Sequence, residues 1–232
     1  PAVKLAIERQ EIPGAVVVAV HQGKVIWEKA YGHRQLYPDR KPTATDTIFD
    51  LASLTKPIAT ATSIMILVEQ GKLNVQDYVT KYIPEFGQNG KDTITVEQLL
   101  THRAGFIPDN ALADYQQGRQ TAMHNIYLLH PTYEPGTQFK YSDVGYIVLG
   151  EIIFRITGKH LNEFASENIF QPLKMKDTGF LLPEQRKDRA AASDIRNEEW
   201  ITGEVHDPRS YLMGGIAGHA GLFSTAHDVA IY

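Results

Sequence analysis

The chain has 232 residues, 43% of them hydrophobic and 22% charged, a balance that supports a packed globular core. Its net charge of −4 offers no basic surface for nucleic acid or anionic lipid, and no apolar run is long enough to span a membrane. The absence of cysteine excludes disulfides, thiolate nucleophiles and thiolate metal sites, and leaves the compartment open.

The chain opens with Pro1-Ala2-Val3-Lys4 rather than Met, as expected of a processed N-terminus that has lost any export signal. Two β-rich runs, Ala15 to Val20 and Lys24 to Ala30, flank His21-Gln22-Gly23 and predict a hairpin. The polar, proline-containing stretch from Arg34 to Asp46 reads as a loop. Ile58 to Glu69 has apolar residues at helical spacing and stops before Gly71. Thr95-Val96-Glu97-Gln98 is a capping box opening a short helix that ends near His102. After the turn Glu134-Pro135-Gly136, Ser142 or Asp143 can cap a helix running to about Thr157, with Gly158 behind it. Leu161 to Asn168 predicts another short helix, and Glu184 to Arg189 an exposed loop. Met213 to Gly221 is rich in small residues, and Ala226 to Tyr232 begins a further helix. Strands are thus expected mainly at the N-terminus, with a helical centre.

Ser53-Leu54-Thr55-Lys56 carries the chemistry. Ser-x-x-Lys at the start of an apolar helix puts a hydroxyl and an amine one turn apart on the same face. An amine there can take the serine proton and create a nucleophile, and the positive end of the helix dipole favours an oxyanion beside it. Alone, the pattern is common in sequences of no related function.

Its context resembles one family. Ile48-Phe49-Asp50-Leu51-Ala52-Ser53-Leu54-Thr55-Lys56-Pro57 is similar to the first motif of the serine β-lactamase and penicillin-binding-protein-like superfamily, in the class C β-lactamase and esterase branch. Further similar segments follow in the family's order. They are Leu99-Leu100-Thr101-His102-Arg103-Ala104-Gly105, Phe139-Lys140-Tyr141-Ser142-Asp143-Val144-Gly145-Tyr146, Ile169 to Met175, and Gly218 to Ala226. The resemblance implies an α+β fold of the β-lactamase/transpeptidase type. An antiparallel sheet flanked by helices is joined by an all-helical region over about 77–187, in a single domain spanning 1–232, with the active site in the cleft between them. It implies an acyl-enzyme on Ser53, with Lys56 and Tyr141 moving protons, and leaves open which of the two is the base. No metal or other cofactor is expected.

Asp143 stands where the family more often has Asn. An ionised carboxylate cannot donate to a substrate carbonyl, but it can pair with Lys56 and shift base work to Tyr141. Asp143, Asn110 and His219 are the candidate substrate contacts. His219-Ala220-Gly221 superficially matches the family's third motif, Lys/His-Thr/Ser-Gly on a strand. It lies too close to Tyr141, and the residues after it turn into a helix, so it resembles instead the family's glycine-rich loop at the pocket rim. The third motif and the later sheet strands are accordingly expected beyond Tyr232, on a chain lacking its C-terminal part. The substrate implied is a small ester, a β-lactam or a peptidoglycan-like amide, in a periplasmic or secreted setting. The rival reading is a non-hydrolytic penicillin-binding or peptidoglycan sensor.

Overall fold

Gln22 and Gly23 both adopt positive φ (49° and 72°), the backbone of a tight two-residue hairpin turn. They join β1 (Gly14–His21) to β2 (Lys24–Gln35) in an antiparallel pair. The structure, a computed structural model, describes residues 2–232. Strand β2 is longer than the hairpin pattern indicated. It runs to Gln35 and pairs with β3 (Lys41–Pro42), so the stretch from Arg34 to Asp46 is only partly a loop. The sheet order is β1-β2-β3.

The residues fall into two compact units, Pro1–Leu51 with Phe170–His206 and Leu222–Tyr232, and Ala52–Ile169 with Asp207–Gly221. Among the described residues, the first unit holds all the strands. Besides the N-terminal sheet, β4 (Phe49–Asp50), β5 (Gly179–Phe180) and a later strand, β8 (Leu222–Ser224), form an antiparallel sheet in the order β4-β8-β5. Strands β6 (Ala192–Arg196) and β7 (Glu199–Thr202) form a second hairpin. Strands therefore also occur late in the chain, which the apolar pattern did not show. Ile48, Leu182, Ala190 and Phe223 are a buried cluster here. The segment expected as a loop from Glu184 contains a helical turn, Glu184–Lys187.

The second unit, over 52–169 and 207–221, is helical. Its central element is the helix Asp143–Thr157, in which every residue from Val144 to Ile153 is buried. A helix apolar on all sides belongs in a core. Its ends are those the sequence indicates: Ser142 Oγ accepts from Gly145 N, and Gly158 is left-handed at φ 72°. The helix Val96–Leu100 opens on the capping box of Thr95 and Gln98, and ends two residues before His102. The Ser53 segment continues as a π-helix, Lys56–Ala61, and an α-helix, Thr62–Glu69. Pro57 lacks an N–H, which loosens the first turn of this helix.

Lys91 shows how a charge can hold this unit together. Its side chain is 0% exposed, and Nζ donates to the carbonyls of Gln88, Tyr127 and Leu129 at 2.7, 2.9 and 2.5 Å. Burial lowers its amine to about 8. Lys91→Met deletes the donor and strands three carbonyls. It is expected to destabilise the fold by about 3 kcal/mol, read as a lower urea midpoint at an unchanged slope.

Candidate functional site

Ser53 sits in a 3-10 turn, Ala52–Leu54, ahead of the helix that carries Lys56. Ala52 before it has φ 48°, a left-handed backbone that an alanine adopts at a cost of about 1 kcal/mol. Such outliers gather at functional sites, where the surrounding fold enforces them. Three residues on, Lys56 is 3% exposed, and its Nζ donates to Ser53 Oγ at 3.0 Å. The same nitrogen donates to the His219 carbonyl at 3.1 Å and lies 2.6 Å from Asp143 Oδ1. All three partners are acceptors, an arrangement suited to an ammonium.

Asp143 is the first residue of its helix, where its charge also complements the helix dipole. Its position is fixed by backbone: Asp143 N donates to Pro108 O at 2.9 Å, and Ser142 Oγ to Ile107 O at 2.7 Å. Tyr141 precedes this cap and is 43% exposed, with its ring centroid 4.8 Å from Lys56 Nζ. Ser53, Lys56, Tyr141 and Asp143 are thus brought to one place.

His102, in the motif Leu99 to Gly105, supports Tyr141. Its ring lies 4.5 Å from that of Tyr141 and 5.0 Å from that of Tyr146, and its Nδ1 accepts from Ser142 N at 3.1 Å. Burial, and after it the charge of Lys56, hold this imidazole below its ordinary value of 6.5, against the opposing pull of Asp143. The unfolded chain therefore takes up a proton on His102 before the folded one does. Stability rises with pH through the window just below 6.5 and is lost as pH falls through it. His102→Gln is expected to flatten this slope in urea titrations, and to lower turnover by misplacing Tyr141.

His219 is 1% exposed, and its Nε2 lies 2.9 Å from Asp207 Oδ1. Asp207 also accepts from Ser210 N at 2.7 Å. Burial alone would raise the Asp207 carboxyl, but the His219 hydrogen bond and charge outweigh it and hold the group at about 2. Gly218 lets this loop pack on the helix Asp143–Thr157: a Cβ there would meet the Tyr146 carbonyl at 1.8 Å. The structure places His219 inside the loop, its Nε2 paired with Asp207 and its carbonyl with Lys56, while its Nδ1 is buried without a hydrogen-bond partner.

Asn110 is buried, its Nδ2 donates to Asp114 Oδ2 at 2.8 Å, and its Oδ1 accepts from the Tyr115 hydroxyl at 2.5 Å. Its carbonyl accepts two bonds from Arg209, at 3.1 and 2.8 Å. The amide joins this loop to the turn that carries Asp114 and Tyr115. Asp207 and Arg209 had no motif to announce them, because their partners lie far along the chain.

Asp143, Asp207 and His219 offer ligand atoms within 4.8 Å of one another, a set that can attract a cation. Lys56 Nζ already supplies one at 2.6 Å from Asp143. His206 Nδ1 is 2.9 Å from Asp50, and Asp228 accepts from Asp177 N and the Thr178 hydroxyl.

The family profile described as Beta-lactamase matches residues 2–232. An N-acetylmuramyl-L-alanine amidase of Bacillus subtilis (strain 168) is 36% identical over 94% of this chain and 58% of its own length. The structure of an octameric penicillin-binding protein homologue from Pyrococcus abyssi superposes with a TM-score of 0.81 at 28% identity, over 100% of this chain and 54% of that one. A class C β-lactamase from Rhodobacter sphaeroides does so with a TM-score of 0.81 at 26% identity, over 99% of this chain and 62% of its own. The chain thus spans somewhat over half the length of the relatives it matches. With its profile matched from residue 2 to residue 232, the chain belongs to the β-lactamase family.

Proposed function

We propose that the chain carries the nucleophilic centre of a serine hydrolase that cleaves an ester or amide through an acyl-enzyme. The observation that carries this reading is the buried Lys56 amine, 3.0 Å from Ser53 Oγ and 2.6 Å from Asp143. Ser53 Oγ bonds to the substrate carbonyl carbon, and its proton passes through Tyr141 and Lys56 to the leaving alcohol or amine as the C–O or C–N bond breaks. Water then attacks the acyl group, gives up a proton by the same route and releases the acid. With Lys56 donating to Ser53 and paired with Asp143, the first proton acceptance is assigned to Tyr141. The Ser53 N–H supplies one oxyanion donor.

The relative named N-acetylmuramyl-L-alanine amidase supports an amide of a cell-wall fragment as the substrate, and an extracytoplasmic setting facing that wall. The test is a turnover panel of p-nitrophenyl esters, a chromogenic cephalosporin and an N-acetylmuramyl-L-alanine peptide. Turnover of the muramyl amide above the cephalosporin supports the reading. Stable acylation with no turnover of any of them would replace it with a sensor.

A further inference from the structure

Lys56 carries its amine on a long flexible stem, so Nζ is directed at Ser53 only if its other partners hold it there. One of them is the Asp143 carboxylate, 2.6 Å away, and the other is a backbone carbonyl, His219 O, at 3.1 Å. A carbonyl has no side-chain torsion and stays where its loop puts it. What fixes that loop therefore bears on the chemistry at Ser53.

The carbonyls of Gly218, His219 and Ala220 are divided among three donors. Gly218 O accepts from Thr60 Oγ1 at 2.6 Å, and Thr60 stands about one turn beyond Lys56 on the same helix. Ala220 O accepts from Ser210 Oγ at 3.0 Å. His219 O goes to Lys56 Nζ. Asp207 ties this arrangement together with a single oxygen. Its Oδ1 accepts from Ser210 N at 2.7 Å, capping the helix Pro208–Leu212, and meets His219 Nε2 at 2.9 Å. An ionised carboxylate only accepts, so Nε2 carries the proton. The His219 ring is buried and has no second hydrogen bond, since its Nδ1 is without a partner. The ring of His219 and the carbonyl of Ala220 thus both run back to Asp207, one through Nε2 and the other through Ser210.

We propose that Asp207 is a positioning residue of the hydrolase centre: through the His219 ring and Ser210 it fixes the His219 carbonyl, which aims the Lys56 amine at Ser53 Oγ. The proposal rests on the hydrolase reading above. Asp207 acts by accepting two hydrogen bonds at one oxygen, and the amide oxygen of an asparagine can accept the same two. Its charge is not the operative property, since Asp143 is the carboxylate paired with Lys56. Loss of Asp207 frees the ring and the Ser210 turn together, so His219 O shifts and Lys56 Nζ follows it. A displacement of about 1 Å is enough to cost about 10² in rate.

The test is steady-state hydrolysis of a p-nitrophenyl ester, with the rate of fluorophosphonate labelling of Ser53 and a urea midpoint measured on each variant. Asp207→Ala is expected to lower kcat and the labelling rate by about 10²-fold, at a KM within about twofold of wild type. Asp207→Asn should hold both rates within about threefold of wild type. Asp207→Ser keeps an oxygen to cap the helix but gives up the reach to His219. It should lower both rates about tenfold, and it carries the test should Asp207→Ala not fold. A merely structural role predicts a lower urea midpoint with the kcat of the folded protein unchanged. That result, unchanged rates in Asp207→Ser, or an Asp207→Asn as slow as Asp207→Ala, would overturn the proposal and leave the hydrolase reading standing. A wild type that neither hydrolyses the ester nor labels at Ser53 would overturn the hydrolase reading, and this proposal with it.

Discussion

Lys56→Met is expected to lower ester hydrolysis by about 10³-fold and, separately, to destabilise the fold by about 3 kcal/mol. The two effects have different causes. The rate falls because Ser53 loses the amine 3.0 Å from its oxygen, and with it a route for the proton. The stability falls because Asp143, with its side chain 18% exposed, keeps its charge and loses its partner. Adding Asp143→Asn removes that stranded charge. The double variant Lys56→Met/Asp143→Asn should therefore regain most of the urea midpoint while the rate stays low. Lys56→Arg retains a cation that stays protonated. If it hydrolyses esters as fast as the wild type, Lys56 need never give up a proton during turnover, and its place in the proton route is wrong.

Tyr141→Phe is expected to lower kcat by roughly 10²–10³-fold with little change in KM. The ring stays, so its packing on His102 and its place over Lys56 Nζ stay. Only the hydroxyl goes. Since Tyr141 is 43% exposed, stability should move by no more than about 0.5 kcal/mol. Rapid-mixing kinetics with a p-nitrophenyl ester separate acylation from deacylation, and both should slow, because both pass a proton by the same route. A Tyr141→Phe enzyme of undiminished kcat would remove the tyrosine from the mechanism.

The parts of this site legible in the sequence are those built from near neighbours. Ser53 and Lys56 are one turn apart, Ser142 caps the helix that begins with Asp143, and the Thr95–Gln98 box opens its helix as its residue types dictate. The pairing of Asp143 with Lys56 was open to chemical argument, since an acid facing an amine has a clear preferred outcome. What the sequence did not disclose are contacts between distant segments. His102 meets Tyr141 across 39 residues, Arg209 meets Asn110 across 99, and the His219 carbonyl meets Lys56 across 163. No local pattern encodes such pairs. Residue type alone does not announce a buried lysine such as Lys91, whose amine is surrounded by carbonyls from two segments. The bonds of Asn110 to Asp114 and Tyr115 have no local motif either, because the residue types there do not show the chain turning back onto its own amide. Strands of two or three residues, such as β4, β5 and β8, are too short to carry an alternating pattern and form only where a neighbour pairs with them.

The central claim is that Ser53 is the nucleophile. Its most direct measurement is peptide-mapping mass spectrometry of the protein after reaction with a fluorophosphonate. A single phosphonyl adduct on the peptide containing Ser53, absent from Ser53→Ala, is the predicted result. An adduct on another residue, or one that survives Ser53→Ala, would contradict it.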